Sequence, residues 1–430
     1  MKIVIIGAGS AFGGRIAVDV LSRAPLQEST IALVDIDAGR LKIVSDYVQK
    51  VIDSNNLPAK VVSSTNREEL LPDADSVLIA VAVGGPAYHG HPFEAEFNIP
   101  SKYGITQTVA DTLGPGGLLR ALRSAPVMLD MINDINRLAP NAIVMNYTNP
   151  MAILTWAMHD IAQTPLVGLC HGVTGNFKTL AKLIDIPEDE LEFIAAGINH
   201  MTWFTKLEHK HQDVLQLAHQ KMIEEYPTSD PYKFRGELLE AFGWYPTESD
   251  RHFPEYVPWF QHADAKLFEP HIERTLGIKG KRQHWYEDMG VSIDQAESVK
   301  LIQSHESASG IMESWITGSP YRFSANVMND GKLITNLPDE CCVEVPCIVD
   351  GNGLHPYIIG DLPRNCAVLC RTNVGYQELA VQAIREKSKD IAYQALLVDP
   401  ITQSKCTMKQ TRQLFEEMWA AEADLLTYYE

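Results

Sequence analysis

Lys2-Ile3-Val4-Ile5-Ile6-Gly7-Ala8-Gly9-Ser10-Ala11-Phe12-Gly13-Gly14 is the stretch on which the reading of the fold turns. Ile3 to Ile6 is apolar without alternation, which suits a parallel strand buried on both faces. The glycines that follow allow a tight turn and the close approach of a pyrophosphate to the start of a helix predicted from Gly14 to Arg23. The match to GxGxxG is imperfect, because Phe12 stands in the third glycine's place and glycines fall at 13 and 14. Context strengthens it. Ile31 to Val34 reads as a second strand, and Asp35 ends it, where a carboxylate can accept hydrogen bonds from the adenosine ribose and disfavour an added phosphate. Gly7, Gly9, Ser10 and Asp35 are therefore the expected contacts of NAD; a plain glycine turn with a helix-capping Asp is the alternative.

Outward from that turn, Val77 to Ala82, Ile143 to Met145 and Leu166 to Leu169 are further short apolar runs. Helical patterns lie near Ala38 to Val51, Leu118 to Arg137 and Met151 to Ile161. This alternation predicts an α/β fold with a doubly wound parallel (Rossmann) sheet. Beyond about Cys170 the pattern changes. Strand-like Leu191 to Ala195 and Trp203 to Leu207 precede a polar, aromatic stretch through Gln261. Gln377 to Leu397 reads as one helix with apolar Leu379, Ala383, Ile384, Ile391, Leu396 and Leu397, ended by Asp399-Pro400. A chain of 430 residues without repeats or a flexible linker implies two tightly packed domains, 1–170 for the nucleotide and 171–430 for substrate and metal, with the site between them.

The formal net charge of -19 and the lack of a basic cluster argue against nucleic acid as a partner. No apolar run has the length of a membrane span, and Ile3 to Ile6 is too short for a secretory core, so no membrane role and a cytoplasmic location are expected. Seven cysteines without CxxC spacing form neither a disulfide framework nor a zinc ribbon.

Two islands remain, Leu169-Cys170-His171-Gly172-Val173 and Gly197-Ile198-Asn199-His200. Cys170 follows a buried strand at the sheet edge where ligands bind in open parallel sheets. A thiolate and an imidazole could share one metal and leave positions open for substrate oxygens. Spacing alone leaves a buried thiol and a core histidine as the simpler reading.

The islands, taken with Gln107 to Gly117, Arg120 to Arg123, Asn146 to Pro150, Asn336 to Pro338 and Val343 to Cys347, resemble in order the blocks of the NAD- and metal-dependent glycoside hydrolases of family four. The matches run from Gly7 to about Pro400. The resemblance implies a lactate-dehydrogenase-like α+β C-terminal domain and a homodimer or homotetramer. It also implies hydrolysis of an α-glycoside in four parts: oxidation at C3 by bound NAD, loss of the C2 proton beside a divalent metal (usually Mn2+), elimination of the leaving oxygen, and water addition. Carried over residue by residue, Cys170 and His200 match the metal ligands, Asn149 a substrate contact, and Asp111 the acid for the leaving oxygen, a role His171 could share. The region from Glu248 to Phe260 resembles that of the base, with Asp250 and Tyr256 as candidates. His171 favours an unphosphorylated α-hexoside or α-hexuronide over a phosphosugar, and the Cys-His-Gly form resembles the α-glucuronidase branch. Arg251 could meet a uronate carboxylate, or serve only as a structural ion pair. The rival is an NAD-dependent dehydrogenase of the lactate or malate type.

Overall fold

A computed structural model describes residues 1–85, 90–228, 233–262, 268, 269, 272 and 300–429. Strands β1 (Lys2–Ile6), β2 (Thr30–Val34), β3 (Lys60–Ser64), β4 (Ser76–Ile79), β5 (Ile143–Asn146) and β6 (Leu166–Gly168) pair in parallel in the order β3-β2-β1-β4-β5-β6. The order reverses between β1 and β4, which opens a crevice at the C-terminal ends of the strands. The interior strands are buried over most of their length, and helices Ala11–Leu21, Ala38–Ser54, Gly114–Leu138 and Met151–His159 connect them or follow them. The sequence reading passes over β3, because this edge strand buries no residue and so lacks an apolar run.

The sheet does not stop at β6. Strands β7 (Leu191–Ile198), β8 (Met201–His209), β9 (Gln212–Asp213), β10 (Tyr321–Met328) and β11 (Cys342–Asp350) extend it in the order β6-β10-β11-β7-β8-β9, and β12 (Gly353–Pro356) pairs with β11. All pairings beyond β6 are antiparallel. The two strand-like runs at 191–195 and 203–207 become one hairpin, β7-β8, with Asn199 and His200 at its turn. One hydrophobic core joins Val4 and Ile6 of β1 to Trp203, Tyr256 and Phe415.

The long C-terminal helix predicted from Gln377 to Leu397 is two helices, Arg364–Glu386 and Lys389–Val398. Lys387 turns left-handed at φ 53, and the Ser388 hydroxyl caps the second helix by accepting from the Ile391 amide. Asp399-Pro400 ends that second helix and also starts the next, with the Asp399 carboxylate accepting from Thr402 N at 2.9 Å. Among the described residues no helix is long and apolar enough to cross a membrane. All seven cysteines are free.

Candidate active site

The turn after β1 is shaped by close backbone approach. Gly7 sits at φ 85, and a Cβ there would lie 2.1 Å from the Ala80 carbonyl oxygen. Gly9 N donates to Asp35 Oδ2 at 2.8 Å, and a Cβ on Gly9 would press the same carboxylate at 2.7 Å. Ser10 caps the helix by accepting from Gly13 N at 3.2 Å. Gly13 supplies the tight helix contact that the motif's third glycine provides elsewhere, since a Cβ there would be 2.5 Å from Ala8 O. The departure from GxGxxG is thus a shift by one residue. Gly7, Gly9, Ser10 and Asp35 come together as one cradle, and it fits a dinucleotide's ribose and pyrophosphate.

Cys170 lies just past β6 and accepts from Gly172 N at 3.4 Å. His200 occupies the β7-β8 turn at φ 62, a left-handed conformation uncommon for a residue with a side chain. Each of Cys170, His200 and Glu248 offers a ligand atom within 4.8 Å of the other two, a set that can hold a metal ion. His200 Nε2 stands 3.8 Å from Glu248 Oε2. For Nε2 to ligate, Nδ1 must carry the ring proton, and it has acceptors in Tyr256 Oη at 3.1 Å and Thr112 Oγ1 at 3.3 Å. Soft sulfur, imidazole and carboxylate together suit a divalent transition metal.

Burial, reinforced by the charges of Glu344 and Glu248, pushes the Cys170 thiol well above its ordinary range, so a metal entering here displaces a proton. Burial also opposes ionisation of Glu248, but His200 and His252 outweigh it and hold the carboxyl down at about 2. Glu248 is a residue the sequence reading did not single out. Glu248 and Gly172 meet only in the fold: at Gly172 a Cβ would lie 2.4 Å from Glu248 Oε2 and 3.5 Å from Cys170 Sγ.

Asp111, His200 and His252 form a second group of mutually close donors. Asp111 Oδ1 accepts from Thr112 Oγ1 at 2.8 Å and lies 3.7 Å from His252 Nδ1, while Oδ2 accepts from Asn149 Nδ2 at 3.1 Å. Burial alone would raise the Asp111 carboxyl; His252, Arg120 and His200 reverse that and hold it well below the usual range. Burial, with the charge of Asp111 second, pushes the Tyr256 phenol well above its ordinary value. His171 opens to solvent, its Nδ1 4.0 Å from Glu306 Oε1. Arg251 places a guanidinium nitrogen 3.5 Å from His252 Nε2, and its carbonyl accepts from the Thr108 hydroxyl.

Asp250 stands apart from this group. Its Oδ1 accepts from Arg235 Nε at 2.7 Å and its Oδ2 from Phe234 N at 2.8 Å, which ties it to the start of the helix Lys233–Phe242. Oδ1 is thereby held in a buried ion pair and Oδ2 on a backbone amide, whereas the sequence offers Asp250 as one of two candidate bases.

Fold and site define a class first: a Rossmann-type protein with a glycine-turn cradle that fits a dinucleotide after β1 and, after β6, a cluster of donors that can hold a metal ion. The family 4 glycosyl hydrolase profile matches residues 2–186, and the family 4 glycosyl hydrolase C-terminal domain matches residues 195–402. The chain belongs to family 4 of the glycosyl hydrolases and is a glycosidase. An α-galactosidase of Bacillus subtilis is 35% identical over 100% of this chain and 99% of its own length. An α-galacturonidase of the same organism is 28% identical over 97% of this chain and 96% of its own. The 6-phospho-β-glucosidase of Thermotoga maritima, solved with manganese, NAD+ and glucose-6-phosphate, superposes with a TM-score of 0.82 at 21% identity, covering 99% of each chain. A malate dehydrogenase of Cryptosporidium parvum reaches only a TM-score of 0.54 at 15% identity over 89% of this chain and 98% of its own, so the dehydrogenase reading keeps a shared fold and nothing more.

Proposed function

We propose that the chain hydrolyses unphosphorylated α-galactosides with NAD seated on Gly7, Gly9, Ser10 and Asp35 and a divalent metal, Mn2+ in the first instance, held by Cys170, His200 and Glu248. The observation that carries this reading is the Cys170–His200–Glu248 donor set at the sheet edge that also carries the nucleotide cradle. When bound, NAD supplies a hydride acceptor and the metal a Lewis acid for sugar oxygens. Asn149, bonded to Asp111, would orient sugar hydroxyls, and His171 at the mouth would meet the outer part of the sugar. Asp111 rests as a carboxylate, so it can donate to the leaving oxygen only after accepting a proton, and a sugar hydroxyl undergoing oxidation releases one. Tyr256 is the remaining candidate for the C2 proton, since Asp250 is committed to Arg235; its phenol, held protonated by burial, must give up its own proton before it can act as the base.

Galactose is preferred over a uronic acid because the α-galactosidase relative shares 35% identity against 28% for the α-galacturonidase. That departs from the α-glucuronidase likeness of the Cys-His-Gly form. Arg251 leans on His252, which leaves the uronide as the second reading. Domains 1–170 and 171–430, a homodimer or homotetramer, and a cytoplasmic location complete the proposal; light scattering tests the assembly.

The test is a screen of p-nitrophenyl α-galactoside, α-glucoside, α-glucuronide and α-galacturonide with catalytic NAD, Mn2+ and a reductant to protect the thiol. The α-galactoside should turn over fastest, with deuterium from solvent entering at C2 of the released sugar. Steady NADH accumulation with a 2-hydroxy acid and no p-nitrophenol would overturn the reading.

A further inference from the structure

Glu255 ends the short helical turn Phe253–Glu255 directly before Tyr256 and is 2% exposed. Its Oε1 accepts from three successive amides, Thr108 N at 2.5 Å, Val109 N at 2.6 Å and Ala110 N at 3.0 Å. Consecutive amides converging on one point make an anion-binding nest; here the chain's own Glu255 carboxyl fills it, raised to about 7 by burial against the pull of those amides. Ala110 closes the nest at φ 55, a conformation a residue with a Cβ keeps only where its surroundings impose it. The next residue is Asp111. Further along, Thr106 N donates to Gln261 Oε1 and Gln261 Nε2 donates back to Thr106 O, both at 2.9 Å. The 106–110 segment is thus laid along 251–261.

We propose that Glu255 is a positioning residue: by holding the amides of 108–110 it fixes where Asp111 stands in the site. Asn149 and Thr112 aim the Asp111 carboxylate, and Glu255 fixes the backbone from which that carboxylate projects. The same turn carries Tyr256, whose hydroxyl meets His200, so one buried carboxylate ties the Asp111 loop to a neighbour of a metal ligand. The inference rests on the proposed function only in taking Asp111 as a working residue of the site.

The experiment is a double-mutant cycle of Glu255→Ala and Asp111→Asn, read on two α-glycosides of one sugar, one with a p-nitrophenyl and one with a methyl leaving group. Glu255→Ala should lower kcat roughly 10²-fold on the methyl glycoside, as a displacement of about 1 Å does. The loss should be smaller on the p-nitrophenyl glycoside, which departs without a proton. KM and the affinities for NAD and Mn2+, measured by titration, should stay near wild type. On the Asp111→Asn background the same substitution should cost less than about threefold, the signature of residues that act as a unit. Glu255→Gln keeps an oxygen for the nest and should recover most of kcat. Should Glu255→Ala fail to fold, Glu255→Asp, which shortens the reach by one methylene, takes its place in the cycle. An equal cost with and without Asp111 overturns the proposal, as does a parallel loss on both substrates with NAD and Mn2+ binding. A loss in Asp111→Asn that is equal on both glycosides sinks the acid role of Asp111 instead; the coupling in the cycle then decides the positioning role by itself.

Discussion

Gly172→Ala separates metal binding from stability by moving the two in opposite directions. Gly172 is the first residue of the helix Gly172–Leu183, and its backbone is not left-handed, so alanine fits the local conformation. Alanine in a helix is favoured over glycine by roughly 0.5–1 kcal/mol, the lower end applying in a first turn. The methyl group would meet Glu248 Oε2 at 2.4 Å, whereas ordinary contact begins at 3.4 Å. Glu248 must therefore retreat by about 1 Å, which its side chain can do without unfolding anything. Disturbing the placement of one metal ligand costs on the order of 10- to 100-fold in affinity, or about 1.4–2.8 kcal/mol. Calorimetric titration with Mn2+ should show that loss, and thermal denaturation of the metal-free protein should show an unchanged or higher Tm. Gly175→Ala is the control on the same helix, because a Cβ there meets nothing within 4 Å. It should stabilise the helix and leave Mn2+ affinity alone. Wild-type Mn2+ affinity in Gly172→Ala would refute the placement of Glu248 at the metal.

Three other outcomes follow from the same geometry. Asp35→Ala removes the acceptor for Gly9 N, a charge-assisted bond of about 1.5–3 kcal/mol, and should raise the NAD dissociation constant by at least about tenfold in a fluorescence titration; an unchanged constant would remove Asp35 from the cradle. Asp250→Asn breaks a buried pair with Arg235 and should cost about 3 kcal/mol in denaturant unfolding, while solvent deuterium still enters C2 at the wild-type rate per folded molecule; loss of exchange without loss of stability would restore Asp250 as the base. Glu422 is raised to about 8 by burial, with Arg123 opposing and Glu96 adding to the rise, from an ordinary value of 4.5. The native state therefore keeps a proton that the unfolded chain has released, so this group's contribution is full below 4.5 and is lost as pH rises through about 8. Unfolding free energies across roughly pH 5 to 8 should fall more steeply in wild type than in Glu422→Gln, and equal slopes would count against the buried proton.

The parallel half was legible because its strands are covered on both faces and so are written as unbroken apolar runs; β3 escaped because an edge strand has no such constraint. The break at Lys387-Ser388 escaped because the apolar period continues across it while the cap is a single hydroxyl. In the site, Cys170 and His200 were reachable only through the resemblance of their islands. Glu248 and Asp250 lie two residues apart in one polar stretch, and no local pattern says which of them turns toward the metal donors. The partner decides: Arg235 captures Asp250, and Gly172 leaves room for Glu248. That information sits in residues 15 and 76 positions away in sequence, 250 − 235 and 248 − 172.

The deeper reason the closeness of Cys170 and His200 is silent in sequence is that sheet register makes it. Gly168 of β6 pairs with Asn326 of β10, Asn326 with Glu344 of β11, and Glu344 with Gly197 of β7, so one row of four residues crosses the sheet. Cys170 lies two residues beyond one end of that row and His200 three beyond the other. Three strand spacings would separate the ends by about 14 Å. The donor atoms nevertheless lie within 4.8 Å, so both segments must fold inward over the Asn326 and Glu344 side chains. Glu344 accepts from Asn199 Nδ2 at 3.3 Å, which draws the hairpin turn over this floor, and the left-handed His200 completes the approach. A slip of one residue in either pairing would send the floor residues to the opposite face and part the ligands. The Asn326 and Glu344 positions are thus as much a condition of the proposed metal site as Cys170 and His200, although neither need touch an ion bound there.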